Sequence, residues 1–323
     1  MTIVVVTPAA RGSRKGNRVT ALRWAEHLRA LGHHVVVEER WTGAPCDLLV
    51  ALHATRSHGS VEAFRAAHPA APLVVGLAGT DLYQDLPSSP AALRSLALAT
   101  RVTVLQPAAV ATVPARFRQK VRSIVQSANP AVPTPAPPGV VQACMLAHLR
   151  DVKQPFLAAE AARALPPRSR VRVLHLGAAL DPGAAERARR EAEGNPRYAW
   201  LGERHRREAL SILAGSAALL VTSRMEGGSN AVSEAVASGV PVLSTRIEGS
   251  VGLLGDAYPG YFPVDDAPAL TALLLRLEED APFRAALRAG VERVRPLVDP
   301  ARERAAWRDL LHELTGPDAA APT

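Results

Sequence analysis

At 323 residues the chain is long enough for two domains of ordinary size. It is 48% hydrophobic but only 4% aromatic, which suits an aliphatic globular core and argues against sugar recognition dominated by stacked rings. The formal net charge of +8 is almost wholly arginine, Lys15, Lys120 and Lys153 being the only lysines; it favours anionic ligands, while the absence of a basic run interleaved with aromatics argues against nucleic acid.

The chain opens on a strand, Ile3–Val6, without the basic stretch of a signal peptide, and no apolar run reaches membrane-spanning length. A soluble, cytoplasmic protein with no membrane partner is expected. A polar loop leads into a helix from about Asn17 to Leu31, which Gly32 ends. Strands follow at His34–Glu38, Leu48–Leu52, Leu73–Gly76, Val102–Leu105 and Ser123–Val125, with helices at Ser60–Ala67 and Pro90–Ala99. Short apolar strands alternating with helices imply a parallel sheet covered on both faces. The prolines of 131–139 exclude helix and central strand, so this stretch reads as a stiff linker between an N-terminal domain (1–130) and a C-terminal domain (140–299).

After the linker the pattern restarts. Strands are expected at Val140–His148, Val171–Leu176, Tyr198–Leu201, Ala217–Val221 and Val240–Leu243, and helices at Pro155–Ala164, Arg204–Ala214 and Ser229–Ala237. Three later helices cover Pro268–Glu278, Pro282–Arg293 and Pro300–Leu314, and the tail beyond Gly316 reads as disordered. Cys46 and Cys144 are isolated in apolar surroundings and read as buried thiols rather than a disulfide or metal pair.

Five segments carry candidate chemistry. Glu226 and Glu234 flank seven residues that begin with Gly227-Gly228 and pass through Ser229 and Asn230 into a helix. A strand that ends in a glycine turn and a helix start cradles an anion, because backbone N–H groups and the positive helix end point the same way. Glu234 within the helix can reach a ribose, and Glu226 before its mouth can reach a sugar beyond the diphosphate. The ligand class with that layout is a nucleotide-sugar; solvated surface glutamates are the plain alternative. Arg150 and Lys153 follow a strand and can hold a diphosphate and the charge that grows on it as it leaves, or form a solvated basic turn. Arg11 to Arg18 is cationic, glycine-containing and leads into a helix; it suits an anion or is a flexible loop, and it has neither the dinucleotide fingerprint nor a Walker spacing. Asp81 of Gly79-Thr80-Asp81 either orients a hydroxyl or a cation, or caps the turn that follows. Gly249-Ser250-Val251-Gly252 either lets backbone approach a ligand closely or is a plain turn. His33, His34, His53 and His58 show no metal-ligand pattern, so no protein-held metal or tightly bound cofactor is expected, though His53 and Arg56 remain at a strand end.

The Glu226 to Glu234 spacing resembles the paired-glutamate motif of retaining GT-B glycosyltransferases, and Arg150 with Lys153 resembles their diphosphate clamp. More narrowly, several stretches look like the selenosugar synthases of selenoneine biosynthesis: Thr7-Pro8-Ala9 with Gly16-Asn17-Arg18-Val19-Thr20, Gly79-Thr80-Asp81-Leu82-Tyr83, Arg150-Asp151-Val152-Lys153-Gln154-Pro155 and Glu226-Gly227-Gly228-Ser229-Asn230. The resemblance implies two Rossmann-like, doubly wound parallel-sheet domains facing across a cleft, with the last helix, about 300–315, packing back on the N-terminal one. It implies a UDP-sugar donor, either UDP-N-acetylglucosamine or UDP-glucose, and selenophosphate as the acceptor. Lys153, Arg150 and Glu226 would act at the reacting centre, and Glu234, Gly227, Gly228, Ser229 and Asn230 would bind the donor. Arg14, Lys15, Gly16, Asn17, Arg56, Thr80 and Asp81 would receive the selenophosphate. The residues alone leave open a conventional hexosyltransferase with a hydroxyl or thiol acceptor, or a non-catalytic nucleotide-sugar sensor.

Overall fold

The structure, a computed structural model, describes residues 1–86 and 88–316, so the expected disordered tail lies outside the described residues. In chain order the first unit contains β1 (Thr2–Val6), α1 (Gly16–Ala30), β2 (His34–Glu38), β3 (Leu48–Leu52), α2 (His58–Ala67), β4 (Leu73–Gly76), α3 (Pro90–Leu98), β5 (Arg101–Val104), α4 (Ala109–Thr112) and β6 (Val121–Ser123). The second contains β7 (Val141–Leu146), α5 (Leu157–Arg163), β8 (Val171–Leu176), α6 (Ala184–Gly194), β9 (Tyr198–Trp200), α7 (Arg206–Ala214), β10 (Ala218–Val221), α8 (Asn230–Ala237), β11 (Val242–Thr245), α9 (Glu248–Leu254), β12 (Tyr261–Phe262), α10 (Ala267–Glu279) and α11 (Ala281–Val294). The last helix, α12 (Pro300–Thr315), belongs to the first unit. Unit 1 is therefore Met1–Gln126 with Pro300 onward, and unit 2 is Ser127–Asp299.

Each unit holds one six-stranded, all-parallel sheet: β2-β1-β3-β4-β5-β6 in unit 1 and β12-β11-β10-β7-β8-β9 in unit 2. Inner strands such as β3 and β4 are apolar along their whole length because both faces are covered, and every residue of these two is buried. In unit 1 the two faces form separate cores. One gathers Phe64, Leu73, Leu82 and Leu96; the other gathers Trp24, Leu28, Trp307 and Leu311. Trp24 and Trp307 meet edge to face at 5.1 Å, which docks α12 on α1. Arg23 and the buried Glu303 pair at 2.9 Å across the same contact. Gly76 is required here: a Cβ would sit 2.5 Å from the Trp24 ring.

The proline-rich segment forms no helix or strand. It is nevertheless fastened to unit 2. The Thr134 backbone N–H donates to the Ser211 carbonyl at 2.9 Å, and a Cβ on Gly215 would lie 1.8 Å from the Thr134 oxygen.

The structure differs from the sequence-based expectation at several places; the short α4 and β12 were not expected, and β7 is Val141–Leu146 rather than Val140–His148. Helix α6 was not expected; in AAERARREAEG the stripe facing inward is built only of alanines, Ala184 and Ala188 being buried, so it is narrow and weakly apolar although it has helical spacing. Strand β11 begins at Val242 rather than Val240: Gly239 turns with φ +69° at the end of α8, and Pro241 has no N–H for a ladder. Strand β6 is Val121–Ser123 rather than Ser123–Val125, its register set by Val102 opposite Val121. Residues 249–252, expected as a loop, lie inside α9.

Candidate functional site

In a doubly wound sheet the ligand crevice lies beyond the carboxyl ends of the strands, where the strand order reverses. Counting strands within unit 2, its order is the 3-2-1-4-5-6 arrangement read backwards, so the reversal falls between β7 and β10. The loops leaving these strands carry Arg150 with Lys153 and Glu226 with the glycine turn.

Backbone and hydroxyl bonds hold these two loops together. Thr222 Oγ1 donates to the carbonyls of Lys153 (2.7 Å) and Gln154 (2.9 Å), and the Arg224 N–H donates to the Val152 carbonyl at 2.9 Å. Gln154 adopts a left-handed conformation, φ +47°, to fold the first loop back. The Lys153 ammonium pairs with Glu226 Oε1, to which Ser223 Oγ also donates at 2.8 Å. Thr245 Oγ1 donates to the Ser223 carbonyl at 2.6 Å. From behind, α9 presses on the turn: a Cβ on Gly249 would lie 2.2 Å from the Glu226 carbonyl oxygen. The expectation for 249–252 is thus corrected, since this glycine permits close approach to the Glu226 backbone.

Gly227, Gly228 and Ser229 lead into α8, whose first residue is Asn230. Ser229 occupies the N-cap without capping through its side chain, and no acidic residue stands in the first turn of the helix. Glu234 is the fifth residue of α8, about 6 Å along the axis from the first. It is only 5% exposed, and its Oε1 lies 2.6 Å from Arg206 Nη2. Arg150 is half-buried and makes no side-chain hydrogen bond or ion pair among the described residues. It lines a cavity of about 490 Å³ with Phe156, Asp181, Arg187 and Arg224. Arg224 itself is held at 2.9 Å by Asp151 and at 3.2 Å by Asp265.

In unit 1 the order reverses between β1 and β3. The loop after β1 carries Arg14 and Lys15, both exposed, Gly16 as the first residue of α1, and the half-buried Asn17. Lys15 holds the N-cap position of α1 without a capping side chain, and the first turn has no acidic residue. The loop after β3 carries His53 and the exposed Arg56. His53 is also left-handed, φ +79°, so two of the three non-glycine residues with positive φ stand at these reversals, where backbone strain commonly marks a site. The Arg56 N–H donates to His53 Nδ1 at 3.3 Å, so the neutral ring carries its proton on Nε2, 3.1 Å from Thr80 Oγ1. Burial pushes the His53 pKa below its ordinary value, and the Asp81 charge only partly opposes this.

Of the two roles open to Asp81, the structure shows the one that holds backbone. It is fully buried, and its oxygens accept the N–H groups of Ala54, Ala78 and Gly79, each at 2.9 Å. A carboxylate so enclosed fixes the loops after β3 and β4. Around the same edge the buried hydroxyls of Thr7, Ser13 and Thr55 have no partner among the described residues. Orphaned buried hydroxyls are uncommon in folded proteins and mark places where water or a ligand completes the bonding.

Sequence reading missed Arg206, Ser223, Thr245 and the part Gly249 plays. One signal was available: Arg204-His205-Arg206-Arg207 places cations at the start of a helix, against its dipole, which calls for an anionic partner. Among the described residues no group of three or more His, Cys, Asp or Glu could hold a metal ion, Cys46 (half-buried) and Cys144 (buried) are free thiols, and no helix is long and apolar enough to cross a membrane.

Residues 133–293 match the family of glycosyl transferases group 1. No curated protein matches the chain. Among solved structures it is similar to HepE from Anabaena in complex with UDP, at 15% identity and a TM-score of 0.76, covering 97% of this chain and 100% of that one. HepE in complex with UDP-glucose gives 16% identity and the same TM-score and coverage. Sucrose-phosphate synthase from Thermosynechococcus elongatus gives 16% and 0.77, covering 97% of this chain and 98% of that one. At such identities the likeness establishes the fold. Residues 133–293 thus match glycosyl transferases group 1, and the chain that carries them has the GT-B fold.

Proposed function

We propose that this chain is a cytoplasmic glycosyltransferase-type enzyme that transfers the hexose of a UDP-sugar to selenophosphate. The observation that supports the reading is the β7/β10 reversal of unit 2, whose two loops bring together Lys153, Glu226, the glycine turn and the start of α8, with Glu234 one turn further along that helix; these are the groups that a diphosphate with a sugar on either side calls for. The fold likeness to HepE, solved with UDP and with UDP-glucose, supports that donor. Glu234 takes the ribose. Backbone N–H groups around Gly228, Ser229 and Asn230, with Lys153 and Arg150, take the diphosphate. Glu226 takes the donor sugar and exchanges its bond with Lys153 for bonds to sugar hydroxyls.

Unit 1 carries the nucleophile. Arg14, Lys15, Asn17 and Arg56, with the orphaned hydroxyls of Thr7 and Thr55, suit a small tetrahedral anion. Selenium attacks the anomeric carbon, and the carbon–oxygen bond to UDP breaks. Its electron pair goes to the β-phosphate oxygen, where Lys153 and Arg150 neutralise it. Water then cleaves the selenium–phosphorus bond, releasing phosphate and leaving a 1-seleno-sugar. A selenium anion is already nucleophilic, so no general base is assigned, and catalysis rests on positioning and on leaving-group stabilisation.

UDP release is to be measured with UDP-N-acetylglucosamine or UDP-glucose, with and without selenophosphate, and the product weighed by mass spectrometry. Release only with selenophosphate, with a selenium-bearing hexose, is expected. The likeness to sucrose-phosphate synthase favours a second reading, transfer to a hydroxyl. Release with a sugar or thiol acceptor and none with selenophosphate would select it. Binding of UDP-sugar without release under any acceptor would indicate a sensor. No calorimetric uptake of UDP or its sugars would overturn all three.

A further inference from the structure

Arg206 lies 28 residues before Glu234 in sequence yet places Nη2 2.6 Å from Glu234 Oε1, from the first position of α7. The Glu234 side chain is 7% exposed and that of Arg206 51%. A carboxylate so nearly buried is costly to ionise without a fixed cation or hydrogen-bond donors. A guanidinium at a helix start lies against the helix dipole, so helix stability does not explain its position. Its partner does.

We infer that Arg206 is a positioning residue that holds Glu234 ionised and in a single orientation, and thereby makes the site select ribonucleotide over deoxyribonucleotide donors. The inference rests on the reading of unit 2 as a UDP-sugar site. A charged carboxylate accepts hydroxyl donors through two oxygens with about four lone-pair positions. Arg206 occupies one of these and prevents the side chain from turning to follow solvent. A ribose presenting both hydroxyls then meets a preset acceptor; a sugar lacking the 2′-hydroxyl forms one hydrogen bond fewer to that nearly buried carboxylate, which is where discrimination comes from.

The test compares wild type, Arg206→Ala, Arg206→Lys and Glu234→Gln with UDP-glucose and its 2′-deoxyuridine counterpart, reading kcat and KM separately. Wild type is expected to prefer the ribo donor at least tenfold in kcat/KM. Arg206→Ala is expected to lose that preference through KM, with kcat within about twofold and with little change for the deoxy donor; Arg206→Lys should restore part of it. Adding Arg206→Ala to Glu234→Gln should cost no further selectivity. An unchanged preference in Arg206→Ala, or an equal loss on both donors, would overturn the inference while leaving the donor assignment intact. Should Arg206→Ala fail to fold, Arg206→Lys and the Glu234→Gln pair decide by the same ratio. Wild type that takes neither donor overturns the underlying reading and this inference with it.

Discussion

The two sheets have the same parallel architecture but arrange charge differently at their reversals. In unit 2 the carboxylates there are matched by cations, Lys153 with Glu226 and Arg206 with Glu234, and the two loops are bonded to each other. In unit 1 the carboxylate, Asp81, is sealed under three backbone N–H groups, while Lys15 and Arg56 stand exposed beside orphaned hydroxyls. One edge is preset with its own counter-charges; the other exposes Lys15 and Arg56, which form no ion pair among the described residues. A large ligand with hydroxyls and a diphosphate suits the first, because the Lys153–Glu226 pair can be exchanged for ligand contacts while Arg206 keeps Glu234 in place. A small anion suits the second, because it supplies the missing charge.

The largest expected effect lies on the preset edge. Lys153→Ala should lower kcat about 100-fold, since removing one donor from a developing oxyanion commonly costs 10²–10³. A loss below about tenfold, roughly 1.4 kcal/mol, would remove the clamp role.

Acid should separate the units next. Burial pushes His175, inside β8 and bonded to Tyr198 and the Ala147 carbonyl, down to about 4. The unfolded chain therefore binds this proton more readily than the folded one. The contribution to stability is complete above the unfolded value of 6.5 and is lost as pH falls towards 4. Between pH 6.5 and 5 the loss should be about 2 kcal/mol. Hydrogen exchange in β7–β9 should rise accordingly, with a shallower pH slope in His175→Gln. A slope equal to wild type would show that His175 is not the group responsible.

Gly249→Ala should follow. Its methyl group would press on the Glu226 carbonyl and shift the donor turn, weakening UDP-sugar binding about tenfold. Titration calorimetry checks this, and unchanged affinity would mean that the turn is not held from behind. The smallest effect belongs to the exposed edge. Arg56→Ala should raise KM for selenophosphate about threefold with kcat and donor affinity unchanged, as expected of a screened, exposed cation. A fall in donor affinity instead would blur the distinction between the edges.

The sequence by itself determined the two parallel sheets, because strands such as Leu48–Leu52 are apolar at every position and alternate with helices of 3.6-residue periodicity. It also determined where the glycine-opened helix at Asn230 and the loops after β1 and β7 would fall, because those depend on neighbours in the chain. Helix α6 escaped because its periodic stripe consists of alanines alone, which stand out little in so polar a sequence. Only the tertiary structure decided which charge meets which. Arg206 finds Glu234 across 28 positions, Gly249 backs Glu226, and Asp81 is enclosed by the Ala54 N–H from another strand's loop. Such contacts depend on which strands the fold makes adjacent, and electrostatic and steric terms act over a few ångströms of space, not over spacing along the chain.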